Sequence, residues 1–473
     1  MTTLADRLAG FAAATTYESL PADVADSVVS RVLDVLGIQA AAASLDTSRA
    51  ARSWVAEQGG VEQANAVGVT RPVTASQAAF VGGVLAHSLD YDDTHLPSVL
   101  HPSASIVPAV LAAAERRGAS GRQAIAAIAV GLEVAVRLGM AGYDRESNNS
   151  VFFEHGQHAT SICGAMGAAA AVASLEGDAD MIRDALGVTA SMASGIIEAN
   201  RTGGTVKRMH CGWAAKSAID AVDMVRHGFT GPPTVLEGRF GFFEAWLHGV
   251  FRAEEITDGL GEVWSIPDIF FKPYPANHFT HTTVDAAANL RRAGIRPDDI
   301  ASVELGVPAA NLRTIGEPIE KKRTPTTGYE AQFSGPYAFA AGLIGGGGLE
   351  VGLDDYTDAL AADPLRREIM AKVSVVPDDE CSAIFPHQFP VTLTATLTDG
   401  RVVVEKVHAN RGGNQRPLSF DELSRKFSDN ARRALDADAV SALADACRRL
   451  ADLDDVGILT AALTEIDPTS PID

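Results

Sequence analysis

The stretch from His87 to Ser103 reads HSLDYDDTHLPSVLHPS and concentrates three histidines, three aspartates and one threonine. Histidine changes charge near neutral pH, and carboxylates accept protons or bind cations, so these groups suit acid/base chemistry or metal binding. A third interpretation is a polar loop whose Asp and Ser side chains cap helix ends. No His-x-x-x-His pair or complete calcium-loop motif accompanies the stretch, which favours an acid/base site over a metal site.

The elements around this stretch decide which of its side chains can meet. A helix continuing over residues 77–91 would place His87, Asp90 and Thr94 on one face, because residues three and four apart are neighbours on a helix. Asp93 lies three residues beyond Asp90 and would join them. His101 precedes Pro102, which biases it to extended backbone, so we expect it on a loop directly before a helix.

Three further segments repeat the arrangement of a basic side chain in a loop that leads into a helix. The N-terminus of a helix carries unpaired N–H groups and partial positive charge, so several of them together would form an anion pocket. Taken alone, each of these side chains also fits a structural histidine or a surface lysine. The segments are HGQHATSICGAM with His158, GGTVKRMHCGWAAK with Lys207 and His210, and FFKPYPANHFTH with Lys272.

Length and charge limit the classes of protein. A chain of 473 residues is long for a single core and predicts two or more domains. Its formal net charge of -21 argues against nucleic acid or an anionic membrane as a partner. We find no secretory signal and no apolar run near the roughly 18 residues that span a bilayer. The four cysteines are far apart in sequence, which fits a reducing cytoplasm.

The hydrophobic pattern changes character near Phe270. Before it, Ala-, Val- and Leu-rich segments predict helices at 22–43, 123–141, 159–175 and 214–228. After it, patterns of β-type residues predict strands at 301–307, 372–376, 391–397 and 402–408, with helices at 280–293 and 332–343 among them. Asp399-Gly400 between the last two strands is a strong hairpin signal. The charge-rich segment from Ser419 predicts helix again.

In order and spacing, five motifs resemble those of the MmgE/PrpD family, and the resemblance covers nearly the whole chain. It implies a mostly α fold: a helical domain formed by residues 1–268 and 411–473, with an α+β lid domain inserted at 269–410. It also implies a homodimer without metal or organic cofactor. The motifs are HSLDYDDTH with HPS, GQHAT, GGTVKRMHCGWAA, FKPYPANHFTH and AQFSGPYAFA.

The resemblance also assigns roles to residues. It implies that His101 is the principal proton donor or acceptor and that His158 is a second acid/base group or substrate binder. It leaves His87 and His95 as structural residues. The implied catalytic residues are His101, His158, Lys207, Lys272 and Asp90, and the implied substrate-binding residues are Thr94, Asp93, Lys207, Lys272 and Tyr337.

These assignments predict an enzyme that stabilises negative charge at a carbon next to a carboxylate. The leading hypothesis is a cofactor-independent hydro-lyase acting on a small citrate- or aconitate-like polycarboxylate. A cis-aconitate-type decarboxylase and an iminodisuccinate-type epimerase are the alternatives, and a non-catalytic helical scaffold is a remote one. In the family's dehydratases the loop after Thr94 is richer in Asn and Trp than the THLPSVLH found here, so the resemblance leaves the substrate open.

Overall fold

The computed structural model of the protein describes residues 2–175 and 177–466. Among the described residues the chain forms two compact units: the first contains residues up to Ile269 and those from Asn430 to Ile466, and the second contains Phe270–Asp429. The protein is mostly helical with small sheets, which confirms the predicted fold class.

The first unit is a helical bundle around an Ala-rich core. Because many of its core residues are small, neighbouring helices come close together: a Cβ atom on Gly167 would lie 2.4 Å from the carbonyl oxygen of Gly131. The principal helices are Leu4–Ala14, Ala22–Ala41, Asp46–Gln58, Ala75–Ala86, Ser103–Arg117, Gly121–Ala141, Ala159–Ser174, Ala179–Thr189, Val206–Arg226 and Ala437–Arg448.

The helix Gly121–Ala141 corrects one sequence expectation. By length and composition it is apolar enough to cross a membrane, although no such run was predicted. In the folded chain 94% of its most apolar stretch is buried, so its hydrophobicity is that of a core helix. The helices Ala22–Ala41 and Asp46–Gln58 would together pass the same test, but they meet at a bend of 93°.

The second unit contains a four-stranded sheet with helices beside it. The strands lie in the order Val402–Val407, Val391–Leu397, Ile300–Val307 and Val373–Pro377. The last two are parallel and the other pairs are antiparallel. Alternate residues of Val391–Leu397 are buried, as expected of a strand with one covered face. The helices of ten or more residues that lie wholly in this unit are His281–Arg292 and Gly335–Ile344.

The chain leaves the second unit later than the predicted boundary at residues 410/411. The unit ends at Asp429, inside the helix Phe420–Ala431. Hydrogen bonds hold the intervening segment to the second unit: Arg416 donates to Asp285 across 2.9 Å, and the Phe271 N–H donates to the Gly412 carbonyl across 3.0 Å. These contacts are distant in sequence, so the local helical pattern could not reveal them.

Candidate active site

Three helices of the first unit begin next to predicted site residues. His101 lies two residues before the helix Ser103–Arg117, His158 is the N-cap of Ala159–Ser174, and Lys207 lies in the first turn of Val206–Arg226. The three helices pack against one another. The loop-to-helix arrangement expected from the sequence is therefore present three times in one unit, with the partial positive charge of each helix start nearby.

Two helices that lead to histidines of the site meet in a close backbone contact. A Cβ atom on Gly83 would lie 2.6 Å from the carbonyl oxygen of Cys211, and one on Gly212 would lie 2.4 Å from that of Phe80. The helices Ala75–Ala86 and Val206–Arg226 can therefore approach this closely only because both positions are glycine. The contact lies about one helical turn from His87 and less than one turn from His210.

Four imidazole rings follow one another across the centre of the site. The ring centroids of His101 and His87 are 5.3 Å apart, those of His87 and His158 are 5.7 Å apart, and those of His158 and His210 are 4.8 Å apart. We call these four residues the histidine row. Its members come from four different places in the fold, so the row exists only in the folded chain.

His101 is held in one tautomer. Its Nδ1 atom lies 2.7 Å from the backbone carbonyl oxygen of Asp93 and 3.3 Å from the Thr94 hydroxyl. A carbonyl oxygen only accepts hydrogen bonds, so Nδ1 carries the proton and Nε2 is the atom that can gain or lose one. The ring is 13% exposed, which leaves it accessible to a small substrate. This arrangement suits a general acid or base.

Asp93 is committed to structural contacts on both carboxylate oxygens. Oδ2 lies 2.6 Å from Nη1 of Arg31 and accepts the Ser103 hydroxyl, and Oδ1 accepts the Ser103 N–H across 3.2 Å. The carboxylate therefore binds the start of the helix Ser103–Arg117, while its own carbonyl holds His101. Burial raises the pKa of Asp93, and the neighbouring Arg31 opposes that rise.

His87 and Asp92 form a fully buried pair. The Nδ1 atom of His87 lies 2.7 Å from Oδ2 of Asp92, and both side chains are 0% exposed. The same carboxylate oxygen lies 4.0 Å from Nδ1 of His101. The carboxylate of Asp92 therefore lies close to two members of the histidine row, His87 and His101.

Lys207 and Asp90 lie nearer the surface than this pair. Their charged atoms are 3.6 Å apart, and their side chains are 27% and 14% exposed. Asp90 adopts a positive φ of 53°, which a short polar side chain tolerates better than most. Because the pair is partly exposed, an incoming carboxylate can reach the ammonium group of Lys207.

His158 and His210 are neutral at physiological pH. Their Nδ1 atoms are 2.8 Å apart, so one ring donates a hydrogen bond and the other accepts it. Burial, followed by the charges of His87 and the other neighbouring basic groups, holds the pKa of His158 well below its ordinary value. Burial, together with His87 and Lys207, lowers the pKa of His210 to about 4. This pair therefore adds no positive charge beside Lys207.

Two predicted residues belong to the second unit. Lys272 is 2% exposed, so it is not the solvated lysine of an ordinary surface loop. Tyr337 is fully buried and donates its hydroxyl to the Asp355 carbonyl across 2.5 Å. Burial raises the pKa of Tyr337 to about 12, so the phenol stays protonated and engaged inside its own unit.

The structure changes the helical argument made for the His87 segment. The helix ends at Ala86, with His87 as its C-cap, so His87, Asp90 and Thr94 do not share a helix face. His87 was interpreted as a structural residue, but its ring lies between those of His101 and His158. The sequence analysis also gave no role to Asp92 or Arg31. The Asp-Tyr-Asp-Asp run was a usable signal, because aspartate tolerates the positive φ that ends a helix early.

The described residues contain no group of three or more His, Cys, Asp or Glu side chains that could hold a metal ion.

Family models match both parts of the chain: the MmgE/PrpD N-terminal domain matches residues 6–254, and the MmgE/PrpD C-terminal domain matches residues 274–451. The chain belongs to the MmgE/PrpD family.

Curated relatives of this MmgE/PrpD protein include lyases of two kinds. It is 31% identical over 409 residues to the human cis-aconitate decarboxylase, a match covering 83% of this chain and 80% of the relative. The mouse cis-aconitate decarboxylase is 29% identical over 82% of this chain and 78% of its own length. A mitochondrial 2-methylcitrate dehydratase of Yarrowia lipolytica is 26% identical over 46% of this chain and 43% of its own length.

Proposed function

We propose that the protein is a lyase that acts on a small citrate- or aconitate-like polycarboxylate, with decarboxylation as its main reaction. The observation that carries this proposal is the state of His101, whose Nδ1 is fixed by the Asp93 carbonyl while its ring stays partly exposed. That geometry leaves Nε2 to exchange a proton with a substrate. A reaction through a carbanion needs such a proton-exchanging group, and it also needs a positive charge to stabilise the carbanion.

Lys207 and the helix N-termini supply that positive charge. When carbon dioxide leaves a carboxylate, the electron pair of the broken carbon–carbon bond stays on the substrate and spreads onto a neighbouring unsaturated acid. Lys207 and the start of its helix stabilise the resulting charge electrostatically. The Nε2–H of a protonated His101 then gives its proton to carbon, which completes the exchange of carbon dioxide for hydrogen.

The comparisons favour decarboxylation over the dehydration that the sequence first suggested. The relatives that match this chain over about four fifths of both lengths are named cis-aconitate decarboxylases. The dehydratase relative matches less than half of either chain.

Dehydration remains the second candidate because a neutral His101 could act as a base through its free Nε2 atom. It would remove the α-proton and, once protonated, return that proton to the leaving hydroxyl. The two reactions differ in their products: decarboxylation releases carbon dioxide, whereas dehydration releases water and creates a new double bond. An epimerase would release neither and would exchange only the α-hydrogen.

The test is to incubate the purified protein with cis-aconitate, and separately with 2-methylcitrate, in deuterated water. We expect carbon dioxide from cis-aconitate and one deuterium at carbon in the product, and we expect His101→Gln to lose both. His227→Gln is the matched control, because His227 lies exposed at the C-terminus of the helix that begins near Lys207. A new ultraviolet absorbance from 2-methylcitrate without carbon dioxide would identify the dehydratase, and deuterium exchange without either product would identify an epimerase.

A further inference from the structure

His87 is a buried base that the proposed reaction has not yet used. It is 3% exposed, and its Nδ1 is held by Asp92 across 2.7 Å. Its Nε2 atom makes no hydrogen bond to any residue in the part of the chain that the structure describes. A buried polar atom without a partner costs stability, so a position of this kind calls for a functional explanation.

The surroundings of His87 connect it to both ends of the histidine row. His101 lies on one side and His158 on the other, at ring-centroid distances of 5.3 and 5.7 Å. Separations of this order are bridged by small ring rotations or by one water molecule, which buried polar groups commonly bind. The titratable and charged groups that the neighbouring elements bring to this region are Arg31, Asp90, Asp92, Asp93, His101, His158, Lys207, His210 and Cys211.

Decarboxylation creates a demand for protons inside this site. Each turnover replaces a carboxylate by hydrogen, so one proton must enter for every carbon dioxide that leaves. Once His101 has given its Nε2 proton to carbon, it is neutral and must be protonated again before the next cycle. Dehydration has no such net demand, because the proton taken from carbon leaves with the hydroxyl as water.

We propose that His87, supported by Asp92, stores a proton and passes it to His101, so that His101 is ready for each turnover. This inference rests on the proposed decarboxylation. The Nε2–H bond of His87 breaks as a new N–H bond forms on Nε2 of His101, while the Nδ1–H of His87 stays with Asp92. The proton that His87 then regains comes from solvent and is relayed through His210 and His158, each ring taking up one proton as it releases another. Both steps are proton transfers between ring nitrogens, so nothing is oxidised or reduced.

The geometry around Asp92 is the reason to place the stored proton on His87. The Oδ2 atom of Asp92 lies 2.7 Å from Nδ1 of His87, within hydrogen-bonding distance, and 4.0 Å from Nδ1 of His101. The Nδ1 atoms of His158 and His210 face each other instead, at 2.8 Å. A proton on Nε2 of His87 would therefore have a carboxylate on the other side of the same ring.

The kinetic test uses His87→Gln, whose side chain can hydrogen-bond with Asp92 but cannot carry the proton. We expect kcat for carbon dioxide release to fall by about 10²- to 10⁴-fold while KM changes little. In His87→Ala, small added acids should restore kcat in order of their own acidity, which a purely structural defect would not produce. His95→Gln is the matched control: His95 is a buried histidine of the same loop, bonded to Ser98 across 2.7 Å.

A second measurement needs no substrate. In protein with ¹⁵N-labelled histidine, we expect both ring nitrogens of His87 to be protonated under conditions in which His158 is neutral. We expect His87→Gln to raise the pKa of His158. A His87 ring with a single proton throughout the range from pH 5 to 8 would overturn the proposal whatever the activity. If His87→Gln does not fold, Asp92→Asn replaces it, with the same expected loss of kcat.

The outcomes separate the two proposals. Wild-type protein that releases no carbon dioxide contradicts the proposed function, and the nuclear magnetic resonance titration alone then decides whether His87 stores a proton. Wild-type activity that survives in His87→Gln with an unchanged kcat contradicts the relay and leaves the decarboxylase intact. Loss of kcat with acid-dependent rescue supports both.

Discussion

The guanidinium of Arg31 lies 2.6 Å from the carboxylate of Asp93, and the two side chains are only 1% and 2% exposed. Arg31 also donates to the carbonyl oxygens of Ile266 and Ile269, at 3.1 and 2.8 Å. The carbonyl of Asp93 holds His101, and its carboxylate holds Ser103. One buried ion pair therefore fixes both the proton-transferring ring and the start of the helix that follows it.

Removing this ion pair should damage stability and activity together. We expect Arg31→Met to lower the free energy of unfolding by about 3–5 kcal/mol, because it leaves the carboxylate of Asp93 buried without its cation. Arg31→Lys should lose less stability but should lower kcat, because an ammonium group cannot reach the carboxylate and the two carbonyls with the same geometry. Urea denaturation and decarboxylation kinetics of both variants test this. An Arg31→Met protein with wild-type stability would contradict it.

The neutral His210 should make the protein lose stability in mild acid. Its folded-state pKa of about 4 lies below the ordinary value of 6.5, so the unfolded chain binds more protons between these two pH values. The contribution of His210 to the free energy of unfolding should therefore fall as the pH drops from about 6.5 to 4, by about 3 kcal/mol at most, and should stay constant below that. Urea denaturation across this range should show a shallower decline in His210→Gln than in wild type. His227→Gln, which changes an exposed histidine, should keep the wild-type slope.

The charge of Lys207 should matter to substrate binding and to the reaction. Losing a hydrogen bond to a charged group costs about 1.5–3 kcal/mol, so Lys207→Met should lower kcat/KM by about 10- to 100-fold. Lys216→Met is the control, because Lys216 lies on the same helix but pairs with Asp220 across 2.7 Å. The measurement is kcat/KM with cis-aconitate for both variants. Equal effects of the two substitutions would show that Lys207 has no specific role in the site.

Activity should not require a metal ion. We expect protein treated with a strong chelator and dialysed to retain its full kcat, since the proposed charge stabilisation comes from Lys207 and helix N-termini. The measurement is carbon dioxide release before and after chelation, with metal content determined in parallel. Activity that disappears on chelation and returns with a divalent metal would overturn the expectation of a cofactor-independent reaction.

Local sequence patterns predicted the elements well. The strand predicted at 391–397 is found with those bounds, and the helix predicted at 22–43 is found at Ala22–Ala41. Both depend on periodicity within a short segment, which a single sequence contains. The positions of His101, His158 and Lys207 beside helix starts could be predicted for the same reason.

The sequence did not reveal the interior of the site, because its contacts join distant segments. Arg31 meets Asp93 across 62 positions, and His158 meets His210 across 52. The role of His87 was missed because the helix was expected to continue, whereas it ends at Ala86 and turns through the positive φ of Asp90. Nothing in a local pattern specifies which buried residues become partners after folding.

The close contact between Gly83 and Cys211 has a practical consequence for redesign. Because backbone atoms form that contact, the main chain limits how closely the two helices next to His87 and His210 approach each other. Specificity could then be altered by exchanging side chains that touch the substrate while the acid/base centre keeps its geometry. A bulkier residue at Gly83 or Gly212 would instead spread the histidines apart and inactivate every such variant at once.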